Sequence, residues 1–273
     1  MERYGMIVVY VALILAFLYI SKRIADVLTK FDDDLAVEKE GNTAVALRRF
    51  GLYVGICTAL AGVFQGGLRR ADLVVFLTDG AITTVLFFAA HLLNDRILVP
   101  GVRNNDLIKA GNVPTGIVEA GSFIATGILL NGAFAGETGS LLSAVAFFAL
   151  AQIFLYLAVF LHQRIYRFRT AACLQEGNLS AGITVAGLLV AYSIILRSSI
   201  AGDFVGWAES LGWFLISAAS GMLFLLIFEK ISDWIFLPKT KLGDQIQAGN
   251  SAAALLVQGL VIALAVVISR MIV

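Results

Sequence analysis

Apolar residues come in eight blocks separated by short polar stretches. The blocks cover approximately residues 5–22, 43–66, 72–94, 113–135, 139–162, 179–200, 206–230 and 250–272. Blocks of about 17 to 25 residues are long enough to cross a bilayer core of about 30 Å as helices. Lipid offers no water to unpaired backbone groups, so each block is expected to be an α-helix. The helix breakers agree with this division. Pro100 and Pro238 fall between blocks, and Pro114 falls in a first helical turn, where a missing N–H is tolerated. The first block ends at Tyr19-Ile20-Ser21-Lys22-Arg23 with no small-x-small cleavage site, so it is read as a retained span rather than a signal peptide. The expected fold is all-α, a polytopic membrane protein with eight transmembrane helices. Composition sharpens the point: 59% of residues are hydrophobic and 14% charged, against about 25% charged in average soluble domains.

The polar stretches carry a repeat. Glu40-Gly41-Asn42, Ala110-Gly111-Asn112, Glu176-Gly177-Asn178 and Ala248-Gly249-Asn250 each precede an even-numbered block. Ten residues after each motif Gly comes another Gly, and four further on a second small residue. These pairs are Gly51 and Gly55, Gly121 and Ala125, Gly187 and Ala191, and Gly259 and Ala263. A second level lies above the first. Asp95-Arg96-Ile97-Leu98-Val99-Pro100 matches Asp233-Trp234-Ile235-Phe236-Leu237-Pro238 at an offset of 138, and Asp106 matches Asp244 at the same offset. A two-span element is therefore doubled to a four-span unit and doubled again, giving units over 1–136 and 137–273. Two-span elements keep the same direction in every copy, which predicts parallel repeats related by an axis along the membrane normal.

Each motif residue type has a physical reason. Asn is a preferred helix N-cap, and Gly before it permits an irregular turn without a Cβ penalty. The motif is thus expected to start a helix at a membrane boundary. Small residues four apart share a helix face and let backbones approach closely in lipid. From Asn42 to Gly51 is about 14 Å of helix, which puts the small-residue seam near mid-membrane. If the four helix starts converge in a ring, their positive dipole ends would favour an anionic lipid head group or solute. Glu40 and Glu176 beside the motif would instead suit a small cation or polyamine.

Fifteen Lys and Arg fall at the motif ends of the blocks, and five, Arg3, Arg69, Arg70, Arg197 and Arg270, at the opposite ends. The richer side is expected to be cytoplasmic, with both termini on the other side. Loop charges such as Lys30, Arg167 and Lys239 read as a solvated face and topology signal. The acidic run Asp32-Asp33-Asp34 weighs little in that rule. A net charge of +1 carries no nucleic-acid footprint.

Ionisable residues at membrane depth are candidates for function. Asp79 lies well inside the third block, and its counterpart is Ser217, so the duplication does not keep the charge. Arg49 and Glu119 occupy the same repeat position in adjacent copies. They either pair within the membrane, or Arg49 snorkels to the interface, as Arg48 is expected to do. His91 and Glu229, also repeat-equivalent, read as interfacial residues, and His162 as an interface residue beside Arg164. Two histidines and two cysteines with no clustering make a metal site improbable. Cys57 and Cys173, in an apolar block and a basic loop, are expected to be too far apart for a disulfide. No phosphate-binding loop and no nucleophile with a base is recognisable, so neither a cofactor nor an enzymatic activity is expected.

The Gly-Asn motif followed by small residues is best developed at Gly111-Asn112-Val113-Pro114-Thr115-Gly116 and Gly249-Asn250-Ser251-Ala252-Ala253-Ala254. In this the chain resembles the YjfL-like family of bacterial inner-membrane proteins, domain of unknown function 350. It looks like two four-span units in tandem, departing from the pattern where Arg48 and Arg49 interrupt the first copy. The resemblance implies a multi-pass inner-membrane protein with no established activity, often encoded near polyamine-related and envelope-stress genes. Two classes of function stay open. One is a small-solute or ion transporter or channel with a site near Asp79, Glu119 and Arg49. The other is a non-transporting membrane scaffold or envelope-stress partner, in contact with the bilayer and with anionic lipid, a copy of itself or another membrane protein.

Overall fold

The computed structural model describes residues 2–29, 31–64, 71–136, 138–166, 169–236 and 240–272. Lys30, Arg69, Arg70, Arg167, Pro238 and Lys239 lie outside these described residues, as do the side chain of Arg3 and positions 65–66 at the end of the second block.

The described residues are all-helical. Eight long helices are α1 (Glu2–Leu28), α3 (Thr43–Val63), α4 (Asp72–Ile97), α6 (Val113–Ala133), α7 (Leu141–Tyr166), α9 (Leu179–Ile200), α10 (Trp207–Phe236) and α12 (Ser251–Met271). Each contains a stretch long and apolar enough to cross a membrane. Four helices of six residues precede the motif helices: α2 (Asp33–Glu38), α5 (Asn104–Lys109), α8 (Thr170–Gln175) and α11 (Leu242–Gln247).

Each motif is the corner between a short helix and a long one. The motif glycines take left-handed φ values of 64°, 81°, 77° and 74°, a conformation in which a Cβ would be strained. The following Asn then caps the long helix. Asn42 Oδ1 accepts from the Ala44 and Val45 amides, and Asn112, Asn178 and Asn250 accept from Thr115, Ala181 and Ala253. The other end of the same side chain ties one repeat to the next. Asn42 Nδ2 donates to the Ile108 carbonyl at 3.0 Å, Asn112 Nδ2 to Leu174 at 2.7 Å and Asn178 Nδ2 to Ile246 at 2.8 Å. Asn250, with no further repeat beside it among the described residues, donates to Gln245 Oε1 of its own corner.

The same step from copy to copy places α3, α6, α9 and α12 side by side in a row. Their starts therefore lie along a line and not in a ring, a correction to the expected convergence of four dipole ends. The other layer is staggered over the row: α1 packs on α3, α4 on α3 and α6, α7 on α6 and α9, and α10 on α9 and α12.

Small residues let the row close. A Cβ on Gly51 would run into Ala120, one on Gly121 into Ala186 and one on Gly187 into Gln258. Gly55 abuts the Phe123 carbonyl, and Gly127 abuts Gly55 in turn. Ala125 and Ala191 are fully buried. The fourth copy departs from the expectation. Gly259 has nothing within 4 Å of where its Cβ would be, and Ala263 is exposed. The reason is position: among the described residues α12 is the last helix of the row, and none of them covers that face.

Candidate functional site

The polar residues of the long helices gather at two ends. At the motif end of the first unit, Arg48 on α3 is 5% exposed and its guanidinium holds both oxygens of Asp33 on α2, each at 2.7 Å. Asn105 Oδ1 accepts a further bond from Arg48 at 2.9 Å, and the Phe31 ring lies under the guanidinium. Arg48 therefore does not snorkel to an interface, because α2 folds a carboxylate over it.

Arg49 pairs with Asp26 at 3.1 Å and with Asp34, and not with Glu119. Consecutive positions on a helix point about 100° apart, so only one of the two arginines can face α6, and it is Arg48. Asp34, outside the membrane-spanning segments, also accepts from Lys22 at 2.7 Å. The hydrogen bond from Lys22, followed by that from Arg49, pulls its carboxyl down to about 2.

Glu119 on α6 is 3% exposed and stands 4.0 Å from Arg48 Nε. Its polar neighbours include Asp95 and Asn104, and its Oε2 has no hydrogen-bond partner among the described residues. Asn104 Nδ2 donates to Asp95 at 3.1 Å. A small cavity of about 100 Å³ adjoins this cluster, lined by Asp33, Arg48, Arg49, His91, Asp95 and Asn105 among others. His91 stacks on Phe123 with ring centres 4.4 Å apart.

A separate set of side-chain hydrogen bonds, centred on Asn94, lies further along the same helices. Glu119, Ser122 and Thr126 recur at i, i+3 and i+7 on one stripe of α6. Asn94 of α4 donates to Ser122 at 2.9 Å and to Thr126 at 3.1 Å. Its Oδ1 accepts from Gln152 at 2.8 Å and from the Tyr156 hydroxyl at 2.7 Å, both on α7. The network thus joins the first four-helix unit to the first helix of the second. None of these amide and hydroxyl partners stands out in the sequence one by one. The signal that was available is the polar stripe on α6 running through Glu119.

Asp79 lies elsewhere. It lines a cavity of about 440 Å³ at the opposite end, together with Thr138, Ser140, Ser143, Asp203 and Ser210. Between Asp79 and Asp95 run about 24 Å of α4. Asp79, Glu119 and Arg49 therefore do not form one site: α4 runs antiparallel to α6, which carries Asp79 away from the motif end.

The second unit holds a different pair. His162 Nε2 and Glu229 Oε1 are 3.0 Å apart and both residues are fully buried. Tyr166 stacks on the imidazole, and the Lys230 ammonium sits 4.2 Å from the Tyr166 ring centre. Both residues were expected at an interface. They are sequestered because their side chains reach across to each other from α7 and α10, where both helices pack on α9. Glu40 and Glu176 are exposed. Cys57 and Cys173 are free thiols, and the described residues contain no His, Cys, Asp and Glu group suited to a metal.

Two tandem units, each bearing the corner motif twice, are what decide the family. The sequence model described as Domain of Unknown Function (DUF350) matches residues 1–134 and again 137–272. The chain belongs to the DUF350 family. It is also similar to a UPF0719 transmembrane protein of Aquifex aeolicus (strain VF5), with 22% identity over 257 residues covering 89% of this chain and 91% of that protein. No solved structure matches significantly. As a DUF350 member with eight apolar helices, the chain is a multi-pass membrane protein.

Proposed function

We propose that this DUF350 protein moves a small cation, in the simplest case a proton, across a bacterial inner membrane along the seam between α4, α6 and α7. The observation that carries this reading is Glu119. It is a buried carboxylate whose nearest cation, Arg48, is already committed to Asp33. A side-chain charge at membrane depth is expensive and normally paired. Glu119 instead has a second carboxyl group, Asp95, among its polar neighbours. The Asn94 network lies further along the same seam, and the cavity lined by Asp79 lies at the other end. The excess of Lys and Arg at the motif end supports a cytoplasmic location for Glu119, with both termini on the far side. No chemical transformation is part of this reading.

The second reading is a non-transporting scaffold. It is favoured by the close packing of the four motif helices, whose seam glycines Gly51, Gly121 and Gly187 leave no room for a Cβ. Purified protein in liposomes separates the two. The transport reading expects proton, monovalent-cation or polyamine flux that falls at least tenfold in Asp79→Asn. No flux of any of the three, with membrane proteins copurifying, supports the scaffold.

A further inference from the structure

We infer that a second copy of this chain docks head to tail on the open face of α12, presenting its α3 as a fifth helix of the row. The inference is independent of any transport.

Each internal contact of the row obeys one rule. The Gly ten residues after a motif Gly meets the residue nine after the next motif Gly: Gly51 with Ala120, Gly121 with Ala186, Gly187 with Gln258. Lower down, Gly127, sixteen after its motif Gly, meets Gly55, fourteen after the preceding one. The rule names the missing partners at both ends. Gly259 on α12 takes Phe50 on the neighbour's α3, and Ala263 takes Cys57. These four residues are exposed, on helices whose corresponding faces elsewhere in the row are covered. The shapes agree. Phe50 is larger than its counterparts Ala120 and Ala186, and Gly259 is the one seam glycine with open space before it.

Two observations outside the seam point the same way. Asn250 has turned its amide onto its own Gln245, whereas Asn42, Asn112 and Asn178 donate to the next corner. The end of a neighbouring α2 would supply the carbonyl. In the outer layer, α4, α7 and α10 each bridge two row helices, while α1 packs on one row helix, α3, and on its outer-layer neighbour α4, and exposes Val8, Val11 and Leu15. A neighbouring α12 beside α3 gives α1 its second row helix. Such an interface is heterologous, so repetition yields a ring or an open array.

The test places a cysteine at Ala263→Cys in full-length protein carrying Cys173→Ser and native Cys57. Mild oxidation in native membranes is expected to give covalent dimers and higher species, all lost in Cys57→Ser. Gly259→Leu, which meets nothing within one chain, is expected to keep the thermal stability of the single chain while lowering the mass measured in nanodiscs from a multimer to one chain. No crosslink, crosslinks that persist in Cys57→Ser, or a single-chain mass for the unmodified protein would each overturn the inference.

Discussion

The Arg48 guanidinium grips both oxygens of Asp33 at 2.7 Å, across 15 residues of sequence and with both side chains nearly inaccessible. This contact uses the arginine that would otherwise neutralise Glu119. Removing one partner of a buried pair leaves an uncompensated charge, so Asp33→Asn should destabilise the protein by about 3–5 kcal/mol. Asp33→Leu combined with Arg48→Met should recover more than half of that loss. Thermal denaturation in detergent measures both; a double variant as unstable as the single one would mean that the pair is not the unit of stabilisation.

The seam ranks three substitutions. Leu129 is fully buried, so Leu129→Ala removes contacts worth about 2–5 kcal/mol while keeping helix spacing. Gly121→Leu has no such latitude, because Ala186 Cα lies 2.7 Å from the added Cβ, and it should abolish the stable monodisperse protein. Gly259→Leu should change single-chain stability by less than about 0.5 kcal/mol. Fluorescence-detected size exclusion with heating orders the three. Equal stability of the Gly121 and Leu129 variants would contradict the seam.

Acid should be felt at Asp34. Its folded-state pKa of about 2 lies below the ordinary 3.8, so the unfolded chain binds more protons between the two values and stability rises with pH there. The Lys22 and Arg49 contacts are therefore fully effective above about pH 5 and are lost as pH falls toward about 2. Melting temperatures of the natural protein and Asp34→Asn should differ at pH 6 and converge at about pH 2. A constant difference across that range would show that the carboxylate charge is not what the contacts stabilise.

Asn94 ties three helices together through four side-chain bonds. Hydrogen bonds between membrane helices are individually modest, so Asn94→Leu should cost about 2–4 kcal/mol in total and Gln152→Leu about 1 kcal/mol. Unfolding by SDS titration reads both. A neutral Asn94→Leu would mean that its partners find other acceptors.

The architecture was legible because it rests on local and repeated signals. Gly41-Asn42 and its three copies mark a left-handed corner and a helix cap, and both depend on adjacent residues alone. Hydropathy located the eight helices but not all their ends. α1 runs to Leu28, α4 to Ile97, α7 to Tyr166 and α10 to Phe236, past the apolar blocks, because the polar residues there find partners on neighbouring helices. Hydropathy reports where lipid ends, not where hydrogen bonding ends. The charged cluster was harder to read. Asp33 sits in an acidic run that looks solvated, and Arg48 looks like an interfacial arginine. Their burial follows from α2 folding back over α3, a fact of the tertiary arrangement. The separation of Asp79 from Glu119 follows from helix direction and could have been read in advance from the alternation of the spans. The bare face at Gly259 could not, since four matching motifs suggest four matching contacts, and only the open row shows that one lacks a partner.

Glu119 is where the transport reading stands or falls. The direct measurement is dye-reported proton entry into liposomes under a membrane potential, comparing the natural protein with Glu119→Gln. The substitution keeps the volume of the side chain and should leave the melting temperature within a few degrees. Proton movement well above that of protein-free liposomes, reduced at least tenfold by Glu119→Gln, is the predicted result. Proton entry that is the same with the natural protein, with Glu119→Gln and with empty liposomes would contradict a proton path through this carboxyl group.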